Sequence, residues 1–405
     1  MAESWERLEQ DALSIKEVFA GELRALAAIA PLAEAVVVQR KPNGRAIVGG
    51  RAVVDFSSDN YLGLAADARL AAAAASALLN APVGASGAPR TAGRHPFHKL
   101  LEHEIAQYFG AESALLFGSG YLANLGCLRA LVGTGDVVYC DEMGNRALVE
   151  GVHLSGAHVR VFPHRSIDDL RRLLVEDAGK FRRRLIAVES LFGLHGNLFP
   201  LDRLVEVARE HRAWTYVDDS HATGILGARG RGAPEHFGVE GEIDVVVSTF
   251  GKALGSSGGF AFAKRTLVEY LAASCEQYLA TTASPPPITA AALEALHIVE
   301  TDRRLRTRLH ENAQRLWARL SAVVARERLV SGSHSVKYIV PVILSESRDA
   351  DLPERLLRRG FLVGSVVPRV AGDLPRLRLT VSSTHNEADI DDLAQAVGEE
   401  LRKEA

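Results

Sequence analysis

Between residues 97 and 284, short apolar runs alternate with segments of helical period. The runs are ALLF (114–117), DVVYC (136–140), HVRVF (158–162), LIAVES (185–190), WTYVDD (214–219), DVVVS (244–248) and GFAF (259–262). Apolar positions recur every three or four residues at Phe97, Leu100, Leu101 and Ile105. They do so again over Tyr121 to Leu131, Ile167 to Val175 and Leu201 to His211. Strands that are apolar on both sides must be buried on both faces, so the pattern predicts βαβ units and a mostly parallel sheet covered by helices. Ligands of such sheets bind outside the carboxyl ends of the strands.

The flanks read differently. Residues 3 to 29 have helical spacing that ends before Pro31; a short extended stretch and an irregular Gly/Pro-rich region from Val83 to Pro96 follow. After Pro285-Pro286-Pro287 one long helix is expected from about Ala290 to Arg326. Then come strand-like YIVPVIL, a helix near Pro353 to Arg359, strand RLRLTV and an amphipathic helix from Glu387 to Lys403. The expected fold class is therefore α/β, with a smaller α+β C-terminal domain. The expected division is an N-terminal segment over residues 1–58 that packs with the small domain, a large ligand-binding domain over 59–288, and the small domain over 289–405.

Composition removes several classes of function. The 405 residues include 47 basic and 50 acidic side chains, a net charge of −3, which gives no electrostatic footprint for nucleic acid or an anionic membrane. With 47% hydrophobic and 24% charged residues, the chain is neither disordered nor collagen-like. Cys127, Cys140 and Cys275 are scattered, which suits a reducing compartment and argues against a disulfide framework or a cysteine zinc site. The N-terminus carries early acids and no uninterrupted apolar core, and the alanine-rich Leu70 to Leu79 stretch is too short to span a bilayer. A cytoplasmic protein is expected.

Familiar catalytic motifs are missing. There is no HExxH, no Walker A element, no GxGxxG between a strand and a helix, and no metal-ligand spacing among the histidines. Gly255-Ser256-Ser257-Gly258-Gly259 matches GxSxG in form, but it leads into a strand instead of leaving one for a helix. Three other pieces fall at strand ends. Lys252 follows DVVVS in a small-residue loop; alone it reads equally as a solvated loop lysine. Asp218 ends a buried strand, with His221 three residues on, and an acid there is costly unless it pairs with a cation; alone it reads equally as a cap or a buried ion pair. Gly118-Ser119-Gly120 turns a strand into a helix near Tyr121, where free backbone N–H groups make a phosphate site.

Together these pieces are more specific than any one. A phosphate cradle, an acid for a protonated pyridine nitrogen and a Schiff-base lysine are the requirements of pyridoxal phosphate. The stretches SSDNYLGLAAD, VDDSHATGILGARGRG and STFGKALGSSGG resemble the α-oxoamine synthases, a family of fold-type I pyridoxal-phosphate enzymes. The resemblance runs from about residue 50 to 400. It implies a decarboxylative Claisen-type condensation of an amino acid with an acyl thioester of coenzyme A or a carrier protein; the alternative on this fold is an aminotransferase or a lyase.

The resemblance also implies roles. Lys252 resembles the Schiff-base lysine, Asp218 the partner of the pyridine nitrogen, and His221 the residue that bonds the cofactor's 3-hydroxyl. Gly120, Tyr121 and Thr249 resemble parts of the phosphate site. Thr281 and Thr282 resemble a segment that reaches the phosphate from a neighbouring subunit, which implies a homodimer with shared sites. Glu189 resembles a family acid near the substrate. Arg378, rather than Arg376, resembles the arginine that takes the substrate carboxylate, with Asn60 nearby. Two positions depart from the family pattern. Asn145 stands where a histidine usually covers the cofactor ring. Asp59 stands where an asparagine is frequent, so its carboxylate either points away or meets a cationic or differently shaped substrate.

Overall fold

The computed structural model describes residues 36–330, 335–345, 349, 351–366 and 374–402. The helix expected over residues 3–29 lies outside them. In chain order the strands are β1 (Val38–Lys41), β2 (Arg45–Val48), β3 (Arg51–Phe56), β4 (Ser113–Phe117), β5 (Val137–Asp141), β6 (His158–Phe162) and β7 (Arg184–Glu189). They continue with β8 (Trp214–Asp218), β9 (Val245–Thr249), β10 (Gly259–Ala263), β11 (Ile339–Ile343), β12 (Phe361–Val366) and β13 (Arg376–Thr380).

The expected α/β architecture is found. Seven strands form a sheet in the order β4-β10-β9-β8-β7-β5-β6. Strands β5 to β9 pair in parallel, whereas β10 runs against both β9 and β4. The chain returns from β9 to β10 through Gly258, whose φ of 113° suits glycine, instead of through a helix. Reversing β10 leaves β4 parallel to β9, so β4, β5, β7, β8 and β9 all deliver their carboxyl ends to one edge.

Both faces of the sheet are dry over β4, β5 and β7 to β10, as the unbroken apolar runs require, but not at β6, an edge strand whose Val159 and Val161 are exposed. On one face Leu185, Ala187, Val138 and Tyr216 pack with Ala123 and Cys127 of the helix Gly120–Leu131. On the other, Ile186, Val188, Tyr139, Val217 and Val246 join the larger core. Each fully buried side chain of this size contributes roughly 1.5–3 kcal/mol relative to exposure. All three cysteines are buried free thiols, and burial pushes that of Cys140 up to about 12.

A second sheet has the order β1-β2-β3-β12-β13-β11. Strand β3 pairs in parallel with β12, placing Val54 opposite Phe361 and Phe56 opposite Val363. Residues 38–56 are thus built into the same sheet as the C-terminal strands. The helix expected over 290–326 is two helices, Pro286–Thr301 and Arg303–Val323. Asp302 interrupts them because its carboxylate caps the second, accepting from Arg304 N at 3.2 Å. The pattern also does not mark β1–β3 and β12 individually, nor the helices Ala68–Leu78 and Arg146–Ser155.

The two sheets meet where β3 ends. Thr380 Oγ1 donates to Phe56 O at 2.9 Å, Ser382 Oγ to Asn60 O at 3.0 Å, and Ser383 N to Tyr61 O at 2.8 Å. Asn312, on the helix Arg303–Val323, donates from Nδ2 to both Ser382 O and His385 O at 2.9 Å. This clamp fixes the loop that carries Asp59, Asn60 and Tyr61. Replacing Asn312 with Ala removes its bonds to His385 O and Ser382 O, the latter keeping only His385 N at 3.2 Å, so the variant should lose about 2 kcal/mol of stability. A urea unfolding midpoint unchanged from wild type would show that the clamp is dispensable.

Candidate active site

The carboxyl edge of the large sheet gathers the residues singled out in the sequence. After β4, Ser119 caps the next helix, its Oγ accepting from Leu122 N at 3.1 Å. Gly120 and Tyr121 therefore lie in the first turn, where backbone N–H groups point out of the helix. A Cβ on Gly120 would stand 3.0 Å from Thr249 Cβ, and one on Gly259 would stand 2.5 Å from Gly120 N. Only glycine lets this backbone approach β9 and β10 so closely. Thr249 Oγ1 donates to Gly258 O at 2.8 Å and accepts from Gly251 N at 3.0 Å, which shapes the loop bearing Lys252. The Tyr121 ring is partly exposed and its hydroxyl donates to Glu150.

At the end of β8, Asp218 is buried at 4% exposure, and among the described residues hydrogen bonds rather than an ion pair hold it. Its Oδ2 accepts from Asn124 Nδ2 and from Asn145 Nδ2, both at 2.9 Å, and its Oδ1 accepts from Ser220 N at 3.0 Å. Asn124 is oriented in turn by Tyr216, whose hydroxyl donates to Asn124 Oδ1 at 2.9 Å. Asn145 has two tasks. Its Oδ1 caps the helix Arg146–Ser155 by accepting from Leu148 N at 3.0 Å, which leaves Nδ2 aimed at Asp218. Glu189, at the end of β7, also reaches Asn145; its burial, with Asp218 beside it, pushes its carboxyl up to about 8.

Lys252 lies at the centre of a second chain of contacts. Its Nζ is 3.0 Å from His221 Nε2, and His221 Nδ1 is 2.9 Å from the Tyr61 hydroxyl. Tyr61 donates to Asp59 Oδ1 at 3.1 Å, and Arg378 Nη2 donates to the same carboxylate oxygen at 2.8 Å and to Tyr61 at 3.3 Å. Arg378 Nε donates to Gly193 O at 2.7 Å. With Tyr61 giving its proton to Asp59, His221 Nδ1 carries the hydrogen it shares with Tyr61, and Nε2 accepts from Lys252. Burial, reinforced by Lys252, holds His221 well below the usual histidine range, so the ring is neutral. Burial works against ionising Asp59, but the Arg378 guanidinium against it, with Lys252 nearby, holds the carboxyl below the usual range.

The Asp59 alternatives left open by the sequence are thereby settled: the carboxylate faces Arg378. Asn60, its neighbour, instead commits Oδ1 to Ala65 N at 3.1 Å. Arg376 turns to His195 Nδ1 at 3.0 Å. Thr281 and Thr282 line a narrow cavity with Gly118, His98 and Tyr278. Sequence reasoning missed Tyr61, Asn124 and Gly193. The first two lie within or beside quoted motifs but carry no spacing that announces their partners. Gly193 lacks a side chain for a spatial reason: a Cβ there would overlap the His221 ring at Nε2.

This donor set fits pyridoxal phosphate: an amine at a strand end, a buried carboxylate aimed into the same edge, and a helix start opened by glycine. The whole chain agrees. Residues 51–397 match the family Aminotransferase class I and II, and the chain belongs to that family, among its α-oxoamine synthases. An 8-amino-7-oxononanoate synthase from Symbiobacterium thermophilum is 38% identical over 377 residues, covering 92% of this chain and 94% of the relative. Serine palmitoyltransferase from S. paucimobilis, solved with a bound PLP–myriocin aldimine, superposes with a TM-score of 0.90 at 28% identity, covering 96% of this chain and 99% of that one. An 8-amino-7-oxononanoate synthase from Francisella tularensis gives 0.75 at 25% identity, covering 87% and 98%. The cofactor of this chain is pyridoxal 5'-phosphate.

Glu189 offers a direct check of the electrostatics. The folded chain keeps its proton up to about pH 8, whereas an ordinary Glu releases it at 4.5. Between those values the folded state binds the extra proton, so this group makes stability fall as pH rises. In the cofactor-free protein, the urea midpoint of wild type should drop more steeply from pH ~5 to ~8 than that of Glu189→Gln. Parallel profiles would mean that Glu189 is already ionised in the folded chain.

Proposed function

We propose that the residues at the sheet edge carry out a decarboxylative condensation of an amino acid with an acyl thioester, releasing carbon dioxide and a thiol and leaving an α-aminoketone. The reaction class is that of the family; the division of labour among residues is our reading. The observation that carries it is the convergence of Lys252, Asp218, His221 and Arg378 at one edge, each from a different element. When bound, pyridoxal phosphate supplies an electron sink that stabilises a carbanion at the amino acid's α-carbon.

The chain's own residues supply the rest. Backbone N–H groups at Gly120 and Tyr121, with Thr249, hold the phosphate. Asp218, fixed by Asn124 and Asn145, keeps the ring nitrogen protonated. Asn145 also covers part of the ring. His221 would orient the 3-hydroxyl, and its neutral Nε2 accepts a hydrogen bond from the Lys252 amine. Lys252 would hold the cofactor and, within hydrogen-bond reach of His221, would be the group that moves the α-proton. Arg378 orients the carboxylate so that the bond to be broken stands upright on the ring. Thr281 and Thr282 serve the phosphate of a neighbouring subunit, which makes the working unit a homodimer. The acyl group arrives on coenzyme A or a carrier protein, in the cytoplasm; no helix among the described residues is long and apolar enough to cross a membrane.

Lys252→Ala should abolish the visible absorbance of the covalently held cofactor and lower turnover at least about thousandfold. An unchanged spectrum would overturn the role of Lys252. With wild type, carbon dioxide release should require the thioester. Turnover of an amino acid without one would point to transamination or a lyase reaction instead.

A further inference from the structure

We infer that Asp59 makes the amino-acid subsite selective for a substrate with a second positive charge, a diamino acid, over neutral amino acids. This deepens the synthase reading above and rests on it. The ground for it is the pairing inside the site. The Arg378 side chain is 11% exposed, and its Nε is spent on Gly193 O. Its Nη2 is spent on Asp59 Oδ1 and Tyr61. The cation that should receive a carboxylate already has a carboxylate against it.

The pair is neutral as a unit, and the one other cation nearby, Lys252, is committed to His221 and to holding the cofactor. His221 is held neutral by burial and Lys252, and Glu189 keeps its proton near neutral pH. A decarboxylative reaction nevertheless requires a carboxylate on its substrate. That group must use the remaining edge of Arg378, beside the Asp59 anion, and two like charges at that range oppose binding. Displacing Asp59 brings no relief, because the carboxylate would then lose its partner in a mostly buried setting.

A second cation on the substrate resolves the conflict. The Asp59 side chain is 31% exposed, so incoming ligand can reach it. Oδ1 takes both bonds from Arg378 and Tyr61, and Oδ2 has no hydrogen-bond partner among the described residues. An ammonium on the substrate side chain would dock on Oδ2 while the α-carboxylate sits on Arg378. Four charges then alternate in sign. An asparagine at this position would keep the shape and the acceptor toward Arg378 but would remove the charge that asks for a cation.

The test uses the cofactor-loaded protein and the change in its visible spectrum on adding amino acids. Dissociation constants are measured for glycine, alanine and serine, and for diaminopropionate, diaminobutyrate, ornithine and lysine. In wild type at least one diamino acid should bind about tenfold or more tightly than alanine, and Asp59→Asn should erase that advantage. The inference is overturned if glycine or alanine binds wild type as tightly as every diamino acid. It is also overturned if Asp59→Asn weakens all ligands alike, as a purely structural role would, or if amines lacking a carboxylate bind best. The wild-type panel decides even if the variant is unstable. Wild type with no cofactor band would overturn the synthase reading, and the inference with it; a normal band with no diamino-acid preference overturns the inference alone.

Discussion

The ion pair between Arg378 and Asp59 anchors the contacts, Arg378 to Gly193 O and Tyr61 to His221, by which the small sheet meets the loops of the large one. Arg378 stands on β13 of the small sheet, Asp59 on the loop leaving β3, and Tyr61 carries the contact on to His221 and Lys252 of the large sheet. Charges in so dry a place are stable only when their hydrogen-bonding capacity is met. The guanidinium satisfies part of its own with Gly193 O, and the tyrosine bridges the rest. The orientation of Lys252 therefore depends on a residue far along the chain and on a different sheet.

Asp218 obeys the same constraint by another means. Among the described residues it forms no ion pair with arginine or lysine, and it leans on two amides and a backbone N–H. Asn145 is able to serve because its two amide atoms face different partners, the helix start on one side and the carboxylate on the other. An imidazole would have covered more of a bound ring. The amide in its place builds a tighter cage for the acid. Behind it Asp219 performs a purely architectural task, accepting from Ser190 Oγ, Thr223 Oγ1 and Ala233 N, and so holds the loop that contains His221.

Much of this architecture is legible in the pattern of residues alone. Strands β4 to β9 and the helix Gly120–Leu131 follow from apolar runs and helical period, because burial on both faces leaves no other reading. Lys252, Asp218 and His221 are marked by their place at strand ends. The reversal of β10 is not legible, since GFAF is as apolar as its parallel neighbours and period says nothing about direction. Strand β12 is hidden for a related reason: its partners β3 and β13 come from opposite ends of the chain. The break at Asp302 could have been found from the acid followed by two arginines, a helix-start signal inside a longer pattern.

The sequence by itself determined the fold class and the cofactor and singled out Lys252 as the candidate Schiff-base lysine, because each rests on local pattern or on a short motif with a fixed chemical task. What only the tertiary structure decided is the company those residues keep. Whether Asp59 faces Arg378 or solvent, whether Asn145 reaches Asp218, and why position 193 must lack a side chain are matters of distance between segments far apart in the chain. Hydrogen bonds and ion pairs act over about 3 Å, and no spacing along a sequence encodes a separation that small between residues 59 and 378.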